Sequence, residues 1–280
     1  MKKNYLFFLL ILCSIIPGRV QAGWPIGKYR NIFVPNIGFY YASDSWDKDG
    51  KKIKAEPGNY FQSYSMNLYA GYGLSRRMDL IASLPIVYQT SHYQNQFSSG
   101  SSKGYGAADL EVGLSYNLIN MGYEKYFSVQ VSGIAPLYDK NSTYGNIGYG
   151  AFGTEVKFSL AGNFPKRVIK NTYFNAEVFA RRYFGGDGPW QLTGYAMMGF
   201  NISRHDQITV DAVYIKSISA NKQFNANLTS IKDYELAKPA LNFGHSFSRR
   251  VSVFAGGFYT VYGRNTATGY GGSLSTILKL

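Results

Sequence analysis

Apolar and polar residues alternate along several stretches of the chain. Between Asp109 and Asn117 the even-numbered positions carry Leu, Val, Leu and Tyr, whereas the odd-numbered positions carry Asp, Glu, Gly, Ser and Asn. The stretch from Asp79 to Gln89 has Leu, Ala, Leu, Ile and Tyr at its even-numbered positions. A period of two places successive side chains on opposite faces of a β-strand. Both stretches are therefore predicted strands, although Pro85 is unusual within a strand, because proline lacks a backbone donor and suits bulges.

The same alternation continues over most of the remaining sequence and predicts about twelve strands, an even number of the kind that bacterial membrane barrels have. The pattern is weakest between residues 234 and 243. The predicted strands span residues 30–43, 60–72, 79–89, 109–117, 126–136, 151–160, 172–183, 191–202, 207–215, 234–243, 251–262 and 267–280. The parity predicts an outward orientation for Leu80, Leu84, Leu110, Leu114, Val210 and Val253.

Two all-β architectures can use such strands. In a soluble sandwich the apolar face packs against a second sheet, whereas in a transmembrane barrel it meets lipid and the polar face lines the interior. The links between the predicted strands favour the barrel, because short ones such as 73–77 alternate with long polar ones such as 43–59 and 91–104. Short turns on one side and longer loops on the other are typical of outer-membrane barrels. The sequence thus predicts an all-β, closed antiparallel transmembrane β-barrel of about twelve strands.

The first residues have the features of a secretory signal peptide. Two lysines precede an apolar run from Leu6 to Ile16, and Val20-Gln21-Ala22 supplies a small-x-small exit. A membrane-spanning helix would need roughly 20 apolar residues, so this run is too short to span. Cleavage is expected after Ala22, which gives a signal peptide over residues 1–22 and a single barrel over residues 23–280. The predicted location is the cell outer membrane.

The composition narrows the choice of partners. The chain has 25 Tyr and 19 Phe but only 16% charged residues, and Tyr is enriched at membrane interfaces. A net charge of +13 would also fit nucleic acid, but an exported protein does not meet it. The expected partners are therefore outer-membrane lipid, lipopolysaccharide and small solutes, although a plain solvated basic surface fits the charge equally well.

Motifs for catalysis or cofactor binding are weak. Gly148 to Gly153 matches G-x-G-x-x-G, but a dinucleotide fingerprint must open a helix, and here a strand pattern follows. His92, His205 and His245 are not grouped with a serine or an acid that would make a nucleophile–base pair. The chain is therefore predicted not to be an enzyme, with no cofactor and no metal.

Charged residues on the polar face are the candidate functional residues. Charges in a barrel interior must be paired or hydrated. They could line a hydrated channel and bias the passage of solutes, or they could form salt bridges that plug a narrow barrel. The candidates for lining the lumen are Asp79, Asp109, Glu111, Glu155, Lys157, Glu177, Arg181 and Asp211.

Two segments resemble a known family. Gly71 to Tyr88, which includes Leu84-Pro85, is similar to a strand motif of the outer-membrane β-barrel transporters grouped with the meta pathway of phenol degradation. The second motif of that family matches once Ala107-Ala108 is treated as an insertion, at Gly104, Gly106, Asp109, Gly113 and Tyr116. The resemblance implies a roughly twelve-stranded barrel that moves small, often hydrophobic, compounds. It assigns no substrate-binding residue.

The predicted function is passive passage of small solutes, including hydrophobic or aromatic ones, through an outer-membrane channel or transporter. An alternative is a structural or adhesive barrel that presents basic, Tyr-rich loops, with residues 43–59 and 91–104 as the candidates. A hydrolase embedded in the barrel is the third alternative. The sequence leaves open the solute, the oligomeric state and whether the lumen is open or plugged.

Overall fold

The computed structural model describes residues 24–94, 99–138, 147–165, 171–185, 188–220 and 232–280. The predicted signal peptide, residues 1–22, lies outside the described residues. Within these ranges the chain forms fifteen β-segments, and no helix is long and apolar enough to cross a membrane. The segments are β1 (Asn31–Trp46), β2 (Lys52–Ile53), β3 (Tyr60–Gly73), β4 (Met78–Gln94), β5 (Ser99–Ala107), β6 (Asp109–Met121), β7 (Lys125–Pro136), β8 (Gly153–Asn163), β9 (Thr172–Tyr183), β10 (Trp190–Asn201), β11 (Asp206–Ile218), β12 (Tyr234–Ser246), β13 (Val251–Tyr259), β14 (Tyr262–Arg264) and β15 (Thr266–Lys279).

These segments form one closed antiparallel barrel. Strands that follow one another in the chain pair side by side, when the two interrupted strands described below are each counted once. The pairing of β15 with β1 closes the ring. Both β5 and β6 pair with β4, and both β13 and β14 pair with β12, so each of these couples is one interrupted barrel strand. The two-residue β2 only extends the hairpin of β1. The described residues therefore build a barrel of twelve strands, and the predicted fold class is confirmed.

Both interrupted strands face a proline. Pro85 of β4 lies opposite the break at Ala108, and the pairing shifts by one residue there, from Ser83↔Glu111 to Ile86↔Ala107. The Ala108 N–H instead donates to the Pro85 carbonyl at 2.8 Å. Pro239 of β12 likewise lies where pairing passes from β13 to β14. Because proline cannot donate to the ladder, each site is a β-bulge.

The outer face of the barrel is apolar. Leu80, Leu114 and Val210 are 40%, 48% and 48% exposed, whereas Asp79, on the other face of β4, is 6% exposed. In water so much exposed apolar surface would be unfavourable, but in a bilayer it meets lipid. Tyr88 and Tyr116 lie on the same outer face, where aromatic girdles occur.

An arginine in this outer face should be costly. Leu114 pairs with Leu80 on β4 and Val131 on β7, so it lies inside the apolar band. We expect Leu114→Arg to lower the free energy of unfolding by about 2–4 kcal/mol, measured by urea titration in lipid vesicles. Met121→Arg is the control, because Met121 adjoins the turn at Gly122 and should cost only about 0–1 kcal/mol near the interface. Equal costs at both positions would mean that no lipid band surrounds β6.

Three of the short turns are built alike. Each begins with a serine followed by Arg-Arg or Arg-His, and the serine Oγ accepts hydrogen bonds from the backbone N–H groups two and three residues later. Such a side-chain acceptor favours a tight turn. The serines are Ser75, Ser203 and Ser248. All three turns lie at the end of the barrel where the Asn31 N–H donates to the Leu280 carbonyl.

The predicted loop over residues 91–104 is wrong in part. There β4 continues to Gln94 and β5 begins at Ser99, so most of this stretch is a paired hairpin that extends past the end of β7. Its Ser, Gln and Gly residues carry no apolar alternation because the hairpin rises above the part of the barrel that a bilayer would cover. Residues 95–98 lie outside the described ranges.

Candidate functional site in the barrel interior

Arg181 is the centre of a charged network inside the barrel. Its Nη2 atom lies 2.7 Å from Oε2 of Glu155 and 2.9 Å from Oε2 of Glu111. β6 and β9 are separated in the sheet by β7 and β8, so the contact with Glu111 crosses the interior. The Glu155 side chain is 1% exposed and therefore depends on this partner for its charge compensation.

The network continues along the same wall. Nζ of Lys157 lies 3.8 Å from carboxylate oxygens of both Glu155 and Glu177. Gln130 donates to Glu111 at 3.2 Å, and Asn175 donates to Glu177 at 2.9 Å. Three glutamates thus share two cations, with amide groups completing the hydrogen bonds. Most of the charge is therefore compensated within the wall, and three carboxylates against two cations leave one negative charge.

Tyrosine hydroxyls connect this charged wall to the end of the barrel where the connections between strands are longer. The Tyr183 hydroxyl donates to Asp109 Oδ2 at 3.0 Å and accepts from Arg181 at 3.3 Å. Tyr149 packs edge-on against Tyr183, with ring centroids 4.7 Å apart. The Gly150 N–H donates to the Tyr138 hydroxyl at 2.6 Å. The glycine-rich segment 148–153 therefore folds onto the charged wall and opens no helix.

The opposite mouth is narrowed by residues 24–27. The Ile26 N–H donates to Asp79 Oδ2 at 3.1 Å, and the Trp24 ring lies 5.4 Å from that of Tyr126. Gly71 and Gly73 of β3 provide the space, since a Cβ atom at either position would collide with Ile26 or Gly27. A cavity of about 330 Å³ separates this segment from the charged wall.

The larger cavity, about 720 Å³, lies against β1, β3, β9, β10, β11, β12, β13 and β15. Its lining is mostly apolar and aromatic, with serine, threonine and asparagine side chains between. Asp211 and Lys238 are its charged residues among those described. Asp211 accepts a hydrogen bond from Nδ2 of Asn242 at 2.8 Å. The volume is in the range of small-molecule sites, roughly 300–1,000 Å³.

The eight predicted lumen residues fall into three groups. Asp109, Glu111, Glu155, Lys157, Glu177 and Arg181 belong to the charged wall. Asp79 holds the N-terminal segment, and Asp211 lines the larger cavity. Inward aromatic side chains lie beside these charges, since Tyr195 lines the larger cavity and Tyr69 lines the smaller one.

Lys238 and the segment around Ile26 were not predicted. Lys238 lies in the weakest predicted strand, where the inward neighbours Leu236 and Ala240 are apolar and blur the alternation. The segment around Ile26 precedes the first strand and has no periodicity. The pair Gly71 and Gly73 was the signal available, because glycines in a strand mark a close backbone approach.

The three histidines lie at or beside strand ends. Among the described residues no group of three or more His, Cys, Asp or Glu side chains is placed to hold a metal ion. The ring of His205 hydrogen-bonds to the Ser246 carbonyl at 3.1 Å, and that of His245 to Asp206 at 2.7 Å. The Ser203 hydroxyl donates to the other oxygen of Asp206 at 2.7 Å. The expectation that no acid or serine is grouped with a histidine is therefore wrong for His245, because the turn at Ser203 brings Asp206 beside the end of β12.

Solved structures match the chain over nearly its whole length. The COG4313 outer membrane channel from Pseudomonas putida F1 gives a TM-score of 0.70 at 11% identity, over 95% of this chain and 100% of that chain. The fold is that of an outer-membrane barrel. The NanC porin gives 0.49 at 10% identity, over 88% of this chain and 100% of that chain. The translocator domain of NalP from Neisseria meningitidis gives 0.47 at 12%, over 90% and 88%.

No family model and no curated protein matches the sequence. The resemblance to the meta-pathway transporters therefore stays a prediction. At identities near 10%, the structural matches concern the fold alone.

Proposed function

We propose that this protein is an outer-membrane channel for small solutes, including hydrophobic and aromatic ones. The observation that carries the proposal is the larger cavity, about 720 Å³, inside a closed barrel. Apolar and aromatic side chains with scattered hydroxyls suit a solute that is mainly apolar. The compensated charged wall and residues 24–27 restrict the rest of the lumen, so passage is narrow.

The location follows from the outer surface and the two ends. The apolar outer face requires lipid, and the predicted signal peptide over residues 1–22 directs export. Outer-membrane barrels place short turns in the periplasm. The turns at Ser75, Ser203 and Ser248 therefore face the periplasm. The hairpin of β4 and β5 lies at the opposite, extracellular end of the barrel, where lipopolysaccharide would contact it.

Purified protein in a planar bilayer tests the channel. Because the lumen is narrow and its charges are largely compensated, we expect small, discrete current steps with weak ion preference. Small aromatic solutes that enter the cavity should interrupt the current. Heat-denatured protein from the same preparation is the control. A folded barrel that shows neither current steps nor any effect of solutes would refute the channel.

The alternatives have less support. Residues 43–59 contain four lysines against three aspartates and one glutamate, and no tyrosine, so this loop is neither basic nor Tyr-rich. Lys48 and Lys52 pair with Asp49 and Asp44. A hydrolase would need a nucleophile beside a base, whereas the cited ring contacts of His205 and His245 are to a backbone carbonyl and a carboxylate.

A further inference from the structure

Lys238 is a cation in the larger cavity without an ion-pair partner. Its Nζ atom lies 4.3 Å from the centroid of the Phe258 ring. In the described parts of the chain no carboxylate oxygen lies within 4.0 Å of this atom. Asp211 lies one residue pair away along the same face of β11 and β12 and is near enough to attract the lysine charge, but its carboxylate accepts the amide of Asn242 and makes no ion pair with Nζ. The lysine charge is thus presented to the cavity.

Lys157 shows the contrast. It also lies over a phenylalanine ring, at 5.2 Å from that of Phe179, and also faces the barrel interior. Two glutamates lie 3.8 Å from its Nζ atom, so its charge is already compensated. A cation in a weakly polar site without such a partner gains more from an incoming anion, because that anion supplies the missing charge-assisted hydrogen bonds.

The surroundings of Lys238 select the kind of anion. The Phe258 ring stacks with that of Tyr40 at 6.0 Å, and Leu236, Val213 and Ile215 continue the apolar lining. A small inorganic anion would lose part of its hydration shell against these side chains and would gain only the ionic contact with Lys238. An organic anion with an apolar body would gain the same cation and would also bury its body against the aromatic wall.

We infer that Lys238 is the anion-binding residue of a luminal site for amphipathic organic acids, in which a carboxylate contacts Nζ and an aryl or alkyl body lies along Phe258 and Tyr40. This inference rests on the proposed channel, because it names the class of solute that the larger cavity takes.

Binding in lipid nanodiscs tests the site without requiring transport. Isothermal titration calorimetry at pH 7.5 would compare 4-phenylbutyrate with 4-phenylbutanol, and empty nanodiscs would correct for partition into lipid. We expect Lys238→Met to weaken binding of the acid by about tenfold and to leave the alcohol within about threefold. Lys238→Arg, which keeps the charge, should retain binding of the acid within about threefold.

Lys157→Met is the matched control. If that variant does not migrate as a folded barrel on a gel, Lys216→Met on the outer face serves as the control instead. Neither should change the affinity for 4-phenylbutyrate by more than about threefold. Equal affinity of wild type and Lys238→Met for the acid would overturn the site, as would an equal loss in the Lys157 variant. Binding that depends on Lys238 in a barrel without conductance would keep the site and refute the channel. Conductance without binding that depends on Lys238 would refute the site and keep the channel.

Discussion

Replacing Arg181 with methionine should destabilise the barrel by roughly 3–5 kcal/mol, the typical cost of removing one partner of a buried ion pair. The guanidinium holds Glu155 and Glu111 at 2.7 and 2.9 Å, and it also donates to the Tyr183 hydroxyl at 3.3 Å. Without it, Lys157 at 3.8 Å is the remaining cation near the almost fully buried Glu155. The midpoint of urea unfolding in lipid vesicles measures the effect.

Two further variants give this prediction its controls. Arg182→Met changes the next residue, whose side chain lies on the outer face over Trp190 and donates to the Gly188 carbonyl. Its loss should be smaller, roughly 1–2 kcal/mol. Arg181→Lys should fall between, because one ammonium cannot reproduce the forked contact with two carboxylates. Equal losses for Arg181→Met and Arg182→Met would show that Glu111 and Glu155 are satisfied by other groups or by water.

The sequence predicted the strands and their faces because lipid enforces a strict rule. Every outward position of a membrane-covered strand must be apolar, whereas inward positions are free to be polar, as β6 shows between Asp109 and Asn117. That rule fixes the parity and, through the number of alternating segments, the size of the barrel. The rule does not operate outside the membrane, which is why the sequence predicts a loop over residues 91–104, where the structure has the hairpin of β4 and β5.

The partners of the inward charges could not be predicted in the same way. Glu111 and Arg181 are 70 residues apart, and they meet because barrel closure and strand stagger bring β6 and β9 together across the lumen. The contact of Asp79 with Ile26 depends on where a segment without periodicity folds back. Alternation in the sequence identifies the face of the barrel on which a side chain lies. Its contacts across the lumen depend on how the strands are arranged around the closed barrel.

The weak alternation of β12 has a physical reason that bears on function. Its inward Leu236 and Ala240 are apolar because they line the larger cavity instead of a hydrated surface. Lys238 lies between them in the sequence and lines the same cavity. In the proposed channel, this strand would offer an apolar solute an apolar inner wall.

The second large effect is expected at the periplasmic mouth. Trp24 packs against Tyr126, and Ile26 lies over Gly71 with its N–H bonded to Asp79. Trimming both side chains in a Trp24→Ala, Ile26→Ala variant removes the contacts that hold this segment across the lumen. Single-channel conductance should rise about twofold or more, because the passage is widened where it is narrow. Planar-bilayer recordings beside wild type measure the change.

Trp190→Ala separates this effect from a general loosening of the barrel. The Trp190 side chain is 55% exposed on the outer face and packs against Arg182. The Trp190→Ala variant therefore loses a comparable aromatic contact, but its conductance should equal that of wild type because Trp190 does not face the lumen. Asp79→Ala removes the acceptor of the Ile26 N–H and should give a smaller rise than the double variant, since the side-chain packing remains. Should the double variant conduct as wild type does, the limiting constriction lies elsewhere, and the charged wall around Arg181 becomes the segment that sets the current.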